Sequence, residues 1–268
     1  MPNSRNTPLK TGRFLGIHSI PAYISTIFLA EYENALLLLD AGCKCDVKRV
    51  VDFIKHGLNR PISDLKLVIS SHTHPDHAGG IQYFRKRYGI PVAGPHNLND
   101  WYSGFGGYIQ HKVDTALGYW VAKVYNRKFE DMFYGRSYEL DFKLRDGIRL
   151  PFFSDWTVYE TPGHTSHDIV VHNRKEKILY VGDLCLMVNG KFIPPFPVSY
   201  PEVMKKSLKK IESLRSEKVL LAHGGFLTPR KLTTITEAIA KQICRGIPKH
   251  LKPLTHFEGI NGEAHRKP

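Results

Sequence analysis

Between Ser70 and Gly80 the chain reads SSHTHPDHAGG, which puts four potential metal-binding side chains, His72, His74, Asp76 and His77, within six consecutive positions. Neutral imidazole and carboxylate suit zinc or iron better than magnesium, which prefers all-oxygen ligands. In an extended segment residues two apart point the same way, so His72 and His74 can hold one cation together. The turn through Pro75 lets Asp76 and His77 address a second cation on the other side. Elsewhere, histidine or aspartate ends an apolar run, or follows one closely, at His164 in YETPGHTSHD, Asp183 in LYVGDL and His223 in LLAHGG. A lone histidine is more often structural. Five histidines and two aspartates at such positions point to a metal centre.

These residues need strands that end where they begin. Two β runs, AYISTIFLAEY and NALLLLDAG, meet at a polar break containing Asn34, as in a hairpin. DVKRVVDFIKHGL reads as a helix with Asp46 as its N-cap. The buried-type strand LKLVISS, the histidine loop, the helix AGGIQYFRKRYG and the short strand IPVAGP follow. From 97 to 138 the pattern loosens into an aromatic, glycine-rich insert with patchy helical periodicity. Strands resume in YELDFKLRDGIRL, WTVYETPG and DIVVHNRKEKILYVGD, the last broken by a hairpin turn at NRKEK. A lysine-rich helix, the strand KVLLAHGG and a final helix starting at Thr228-Pro229 come next. Residues 254–268 read as a loosely ordered tail.

ALLLLDAG, a helix and KLVISSHTH are echoed later by KILYVGDL, a helix and KVLLAHGG. The duplication predicts two similar β-then-α halves packed sheet to sheet with helices outside. Ligands at strand ends of both halves would then converge on one cleft.

At 268 residues with 42% hydrophobic content the chain can bury a substantial core, and the expectation is one domain over 1–268. No apolar stretch is long enough to cross a bilayer, and no signal-peptide pattern opens the chain. Four cysteines suggest no disulfide framework, so a reducing cytoplasm is expected. The net charge of +13 admits nucleic acid as a partner. No RNA-binding motif accompanies it, however, and in PEVMKKSLKKIESLRSE the lysines fall largely off the Met204, Leu208, Ile211 stripe. A solvated basic surface is the favoured reading.

HTHPDH fits the H-x-H-x-D-H signature of the metallo-β-lactamase-fold superfamily, and the later motifs come in that family's order. The resemblance runs from about Tyr23 to Gly225, apart from the insert. It implies an α/β architecture, a four-layer αβ/βα sandwich, with a dinuclear site along its edge. His72, His74 and His164 would hold one metal, and Asp76, His77 and His223 the second, with Asp183 bridging. Asp40, closing LLLLDAG, matches the aspartate that supports the histidine loop. The implied cofactors are two divalent metal ions, zinc first with iron or manganese as alternatives. The implied chemistry is hydrolysis by a metal-bridging hydroxide, with Asp76 or Asp183 relaying the proton.

TPGHTSHD, VGDL and the run from SLKKIESL to VLLAHGG look most like the lactonase and glyoxalase-II-like branch. That favours a small carboxylic ester, lactone or thioester as substrate. Where acyl-homoserine-lactone lactonases carry a tyrosine three residues after the bridging aspartate, this chain has Leu186. The alternatives are a phosphodiesterase or ribonuclease of the same superfamily and a mononuclear-iron persulfide dioxygenase. The insert, with Trp101, Tyr102, Phe105, Tyr108, Tyr119, Trp120 and Tyr125, reads as a lid over the active site, as a satellite core or as a homodimer contact. His96 is a further pocket candidate. His167 and Asp168 are expected to pack beside the site, and Cys43 and Cys45 to be small buried hydrophobes.

Overall fold

The computed structural model describes residues 11–228 and 232–245. Its first sheet takes β1 (Phe14–Pro21), β2 (Thr26–Tyr32), β3 (Leu36–Leu39), β4 (Leu65–Ile69), β5 (Val92–Pro95) and β6 (Phe142–Leu144), in that spatial order. The second takes β7 (Arg149–Leu150), β8 (Phe153–Glu160), β9 (Ile169–Asn173), β10 (Ile178–Tyr180), β13 (Lys218–Leu221) and β14 (Gly225–Leu227), in the order β14-β13-β10-β9-β8-β7. A separate hairpin, β11 (Leu186–Val188) and β12 (Lys191–Ile193), stands beside it. The helices are α1 (Asp46–Asp52), α2 (Pro75–Ala78), α3 (Ile81–Tyr88), α4 (Gly104–Val124), α5 (Pro201–Glu212) and α6 (Leu232–Arg245).

The run of four leucines in β3 shows why the layers form. Leu37 and Leu39 join Phe28, Ile69, Trp156, Val171 and Tyr180 in a core that draws on both sheets. Leu36 and Leu38 face the other way, against Val47, Val50 and Phe84 of α1 and α3. A strand covered on both faces needs no polar alternation. In the second sheet Leu179, Val219 and Leu221 meet Met204, Leu208 and Ile211 of α5 and Ile235 and Ile239 of α6. Helix, sheet, sheet, helix is the expected sandwich.

The duplication is physical. β3 pairs parallel with β4 across α1, and β10 pairs parallel with β13 across α5. Both crossovers end their second strand just before a histidine. The NRKEK hairpin is also present, joining β9 to β10 antiparallel.

Some expectations need correction. Asp46 does not cap α1. Cys45 precedes the helix, and the buried Asp46 carboxylate accepts Tyr23 N–H and Cys43 N–H, both at 2.8 Å, and Arg49 Nη1 at 2.9 Å. YELDFKLRDGIRL is not one strand. It divides into β6 and β7 in different sheets, through a turn at Gly147 with φ of 76°. The insert holds a 21-residue helix, α4, where only patchy periodicity is visible in the sequence. β1, β14 and the β11–β12 hairpin are additions. Pro229 and the tail 254–268 lie outside the described residues.

Candidate metal centre

The loop after β4 delivers His72 and His74, with His74 extended at φ −62° and ψ 155° just before α2. Pro75 opens α2 at its first position, where a missing N–H costs nothing, and so turns Asp76 and His77 to the far side. His164 follows β8, Asp183 follows β10 and His223 follows β13. All seven side chains meet at one edge of the sandwich.

They form two groups, His72, His74, His164 with Asp183, and Asp76, His77 with His223, whose donor atoms lie within 4.8 Å of one another in each. His74 Nδ1 is 3.0 Å from His72 Nε2 and 2.9 Å from His164 Nε2. In the other group His223 Nε2 is 3.0 Å and His77 Nε2 3.5 Å from Asp76 Oδ2. Asp183 faces both. Its Oδ1 lies 3.2 Å from His77 Nε2 and 3.5 Å from His223 Nε2, while its Oδ2 lies 3.7 Å from His164 Nε2 and 4.0 Å from His72 Nε2.

Two of the remaining ring nitrogens are held from behind. His164 Nδ1 donates to Pro197 O at 2.7 Å. His77 Nδ1 donates to Asp40 Oδ2 at 2.5 Å. Asp40 also accepts Ser71 N–H at 2.5 Å, Ser71 Oγ–H at 2.7 Å and the Tyr180 hydroxyl, so one carboxylate ties β3, the histidine loop and β10 together. Asp168 accepts Thr165 N–H at 2.6 Å and Thr165 Oγ–H at 2.7 Å, and His167 Nε2 accepts Thr73 N–H at 3.2 Å. Both brace loops beside the centre.

The donor set fits divalent cations. A tetrahedral ion with bonds of about 2.0–2.1 Å sets its ligand atoms about 3.3–3.4 Å apart, within the spread of separations above. His77 Nε2 and Asp183 Oδ1, buried at the middle, face one another at 3.2 Å without hydrogen-bond geometry, which is costly unless something binds them. Burial alone would raise the carboxyls of Asp76 and Asp183, but His77 and His223 outweigh it and hold both below the usual range. Burial, then His77, His74 and His164, push His72 well down, so its ring is neutral. Burial opposes charge on His77 as well, yet Asp183, Asp76 and Asp40 raise it well above the ordinary value. The carboxylates around His77 favour positive charge at that position.

A residue with no signal in the motifs joins this group. Asp114, on α4 and 4% exposed, accepts the Tyr102 hydroxyl and Gln110 Nε2–H, each at 2.8 Å, and stands 3.4 Å from His74 Nε2. Burial would raise its carboxyl, but His74, Tyr102 and Gln110 bring it below the ordinary value.

Above the centre opens a cavity of about 370 Å³. Its floor is His74, Asp76, His164, Asp183 and His223. Leu117, Val121 and Val124 of α4 form one wall, Leu186, Val188 and Ile193 of the hairpin another, and Trp120, Tyr125 and Phe196 reach the rim. Among the described residues no lysine or arginine lines it. Of the pocket candidates His96, Trp101, Tyr102, Phe105 and Leu186, only Leu186 is a wall residue. His96 lies aside, 3.5 Å from Glu160. Trp101 is buried with its ring 5.8 Å from His167, Tyr102 serves Asp114, and Phe105 is 75% exposed, away from the opening. Cys43, Cys45 and Asp46 also cluster, but the Asp46 oxygens are engaged by Tyr23, Cys43 and Arg49.

The sequence model of the metallo-beta-lactamase superfamily matches residues 20–223. Probable metallo-hydrolase YflN of Bacillus subtilis is 23% identical over 248 residues, covering 85% of this chain and 91% of that protein. Ribonuclease J 1 of Streptococcus pyogenes is 25% identical over 263 residues, which cover 81% of this chain but 43% of the ribonuclease. The crystal structure of ST1585, an archaeal metallo-beta-lactamase superfamily protein from Sulfolobus tokodaii, shares the fold with a TM-score of 0.61. It is 21% identical, with 91% of this chain and 94% of that chain covered.

Proposed function

The chain belongs to the metallo-beta-lactamase superfamily of metal-dependent hydrolases, and we propose that it cleaves carboxylic esters, lactones or thioesters with an apolar acyl group, using two divalent cations, zinc first. The observation that carries this reading is the cavity. Its floor is the double histidine–aspartate cluster, and its walls are aliphatic and aromatic, with no cationic side chain among the described residues. The charge of a phosphodiester or RNA backbone is commonly met by Lys or Arg beside it, whereas an uncharged acyl group gains about 0.8 kcal/mol per buried methylene.

His72, His74 and His164 would hold one ion, Asp76, His77 and His223 the other. The two oxygens of Asp183, turned to different groups, support its bridging role. When bound, the ions supply an ionised water near neutral pH and polarise the attacked oxygen. Asp76 and Asp183, both kept ionised, are the carboxylates able to take a proton and pass it to the leaving oxygen or sulfur. The walls from α4 and the hairpin exclude water and orient the acyl chain, so the insert over 97–138 acts as a lid rather than only a contact surface.

The ribonuclease reading draws on the similarity to ribonuclease J 1 and on the net charge of +13, but the cavity lining speaks against it. The mononuclear-iron reading uses one ion position, and the full second group of Asp76, His77 and His223 favours two. The test is metal quantification on protein purified without added metal, joined to a panel of lactones, thioesters, aryl esters and phosphodiesters. We expect close to two ions per chain and turnover rising with acyl length. Turnover of phosphodiesters alone, or one iron per chain with oxygen uptake, would overturn the reading.

A further inference from the structure

We propose that Asp114, carried by the insert helix α4, is a positioning residue that orients His74 for metal binding, so that the insert is part of the metal centre's support. The inference rests on the reading of His74 as a ligand given above.

His74 presents Nδ1 to the convergence point with His72 and His164, which leaves Nε2 facing outward. A ligating imidazole normally donates its other N–H to a carboxylate or carbonyl, which fixes the tautomer and raises ligand basicity. His164 and His77 have such partners in Pro197 O and Asp40. For His74 the facing group is Asp114 Oδ2, at 3.4 Å. That separation is longer than the ~2.7–2.9 Å of a charge-assisted bond. It also leaves His74 Nε2 without a hydrogen bond that meets full geometry. Such contacts tighten when a site is loaded.

The surroundings are built for this carboxylate. Burying an ionised group costs several kcal/mol unless it is paired and hydrogen-bonded. Asp114 has Tyr102 on Oδ2 and Gln110 on Oδ1, which leaves Oδ2 aimed between Tyr102 and His74. One turn along, Gly118 lets α4 approach the histidine loop. A Cβ there would lie 2.8 Å from Met132 Cε and 3.4 Å from Pro75 Cγ. At the other end, Gly107 sits against the Tyr102 backbone, which a Cβ would approach to 2.2 Å. The two glycines seat the helix on both sides of the aspartate. α4 is also polar on its buried side, with Gln110, His111, Asp114 and Thr115 inward, as expected of a helix facing a charged centre rather than an apolar core.

The experiment compares the full chain with Asp114→Asn, Asp114→Ala, Asp114→Glu and the surface control Lys112→Ala. Zinc affinity is read by competition with a chromophoric chelator, and the visible spectrum of the cobalt(II)-substituted protein reports ligand geometry. We expect one of two zinc equivalents to weaken about 10–100-fold in Asp114→Asn and further in Asp114→Ala. Asp114→Glu should recover part of the affinity, and the bands of only one cobalt ion should shift. Lys112→Ala should match wild type. The proposal is overturned if Asp114→Ala, folded by circular dichroism, binds both equivalents within threefold of wild type. It is equally overturned if both equivalents weaken alike with a lowered melting temperature of the metal-free protein and no rescue by Asp114→Glu. Failure of the unsubstituted protein to bind zinc, iron or manganese would instead remove the metal reading itself.

Discussion

Replacing Asp40 by asparagine tests how much of the centre is held by a residue that need not touch metal. Asp40 is 2% exposed and has φ of 63°, a conformation that asparagine also tolerates, so backbone strain is not introduced. Its Oδ1 accepts one donor and its Oδ2 three. Whichever way the amide turns, its NH2 faces an N–H that the carboxylate accepts in the native chain, that of Ser71 or that of His77. One orphaned buried donor costs about 1–3 kcal/mol, and each remaining bond loses about 1 kcal/mol when its acceptor becomes neutral. Because these bonds share one group they do not add fully, and the expected loss is about 3–5 kcal/mol for the metal-free protein. Denaturant unfolding measures it. With His77 no longer steered through Nδ1, the ion held by Asp76, His77 and His223 should bind about 10–100-fold more weakly, read by chelator competition. If Asp40→Asn unfolds at the wild-type denaturant concentration and keeps both affinities, the idea that this carboxylate organises the histidine loop is wrong.

His164→Ala should lose metal and turnover together while far-UV circular dichroism stays native. Full turnover in that variant would remove His164 from the ligand set. Trp120→Ala, at the cavity rim and 62% exposed in the native chain, should raise KM for long-acyl esters about threefold to tenfold and spare acetyl esters, because only long chains reach the rim. An equal effect on both would show that the ring does not meet the acyl chain. Gly118→Val should destabilise by about 1–3 kcal/mol through overpacking against Met132 and Pro75, and unchanged melting would show slack in that contact. Burial, helped by Arg174, brings His172 down to about 4 from 6.5. The unfolded chain therefore takes up its proton before the folded one, so stability is full above pH 6.5 and declines between 6.5 and 4. We expect about 1–3 kcal/mol of that acid sensitivity, after discounting for solvent, to vanish in His172→Leu; an unchanged acid limb would assign it elsewhere.

The converging histidines and aspartates and the two-half plan were legible because each motif is a strong local contrast, a histidine or aspartate at or just after the end of an apolar run. The same contrast revealed the β3–α1–β4 and β10–α5–β13 echo. α4 was not legible because its polarity is inverted. Its buried stripe is polar, Gln110, His111, Asp114 and Thr115, while Phe105, Trp120 and Val124 are exposed, so a search for an apolar stripe finds only fragments. Reading the same spacing for polar residues would have found the helix and Asp114 within it. Trp101, Tyr102 and Phe105 drew attention as large rings, whereas the cavity walls are mostly aliphatic side chains, which carry no signal outside their tertiary setting. The split of YELDFKLRDGIRL depends on which sheet each half joins, a long-range fact that strand propensity does not encode.

No continuous stretch of this polypeptide carries a complete ligand set. Each ion position draws on the histidine loop and on segments that follow strands of the opposite sheet. A growing chain can offer only His72, His74, Asp76 and His77 until residue 164 is made, and the second position stays open until residue 223. On the proposed two-ion reading, loading is a late event in biosynthesis. On the same reading the ions would join ligands from the two sheets, and withdrawing them should loosen the seam between the sheets before either sheet alone.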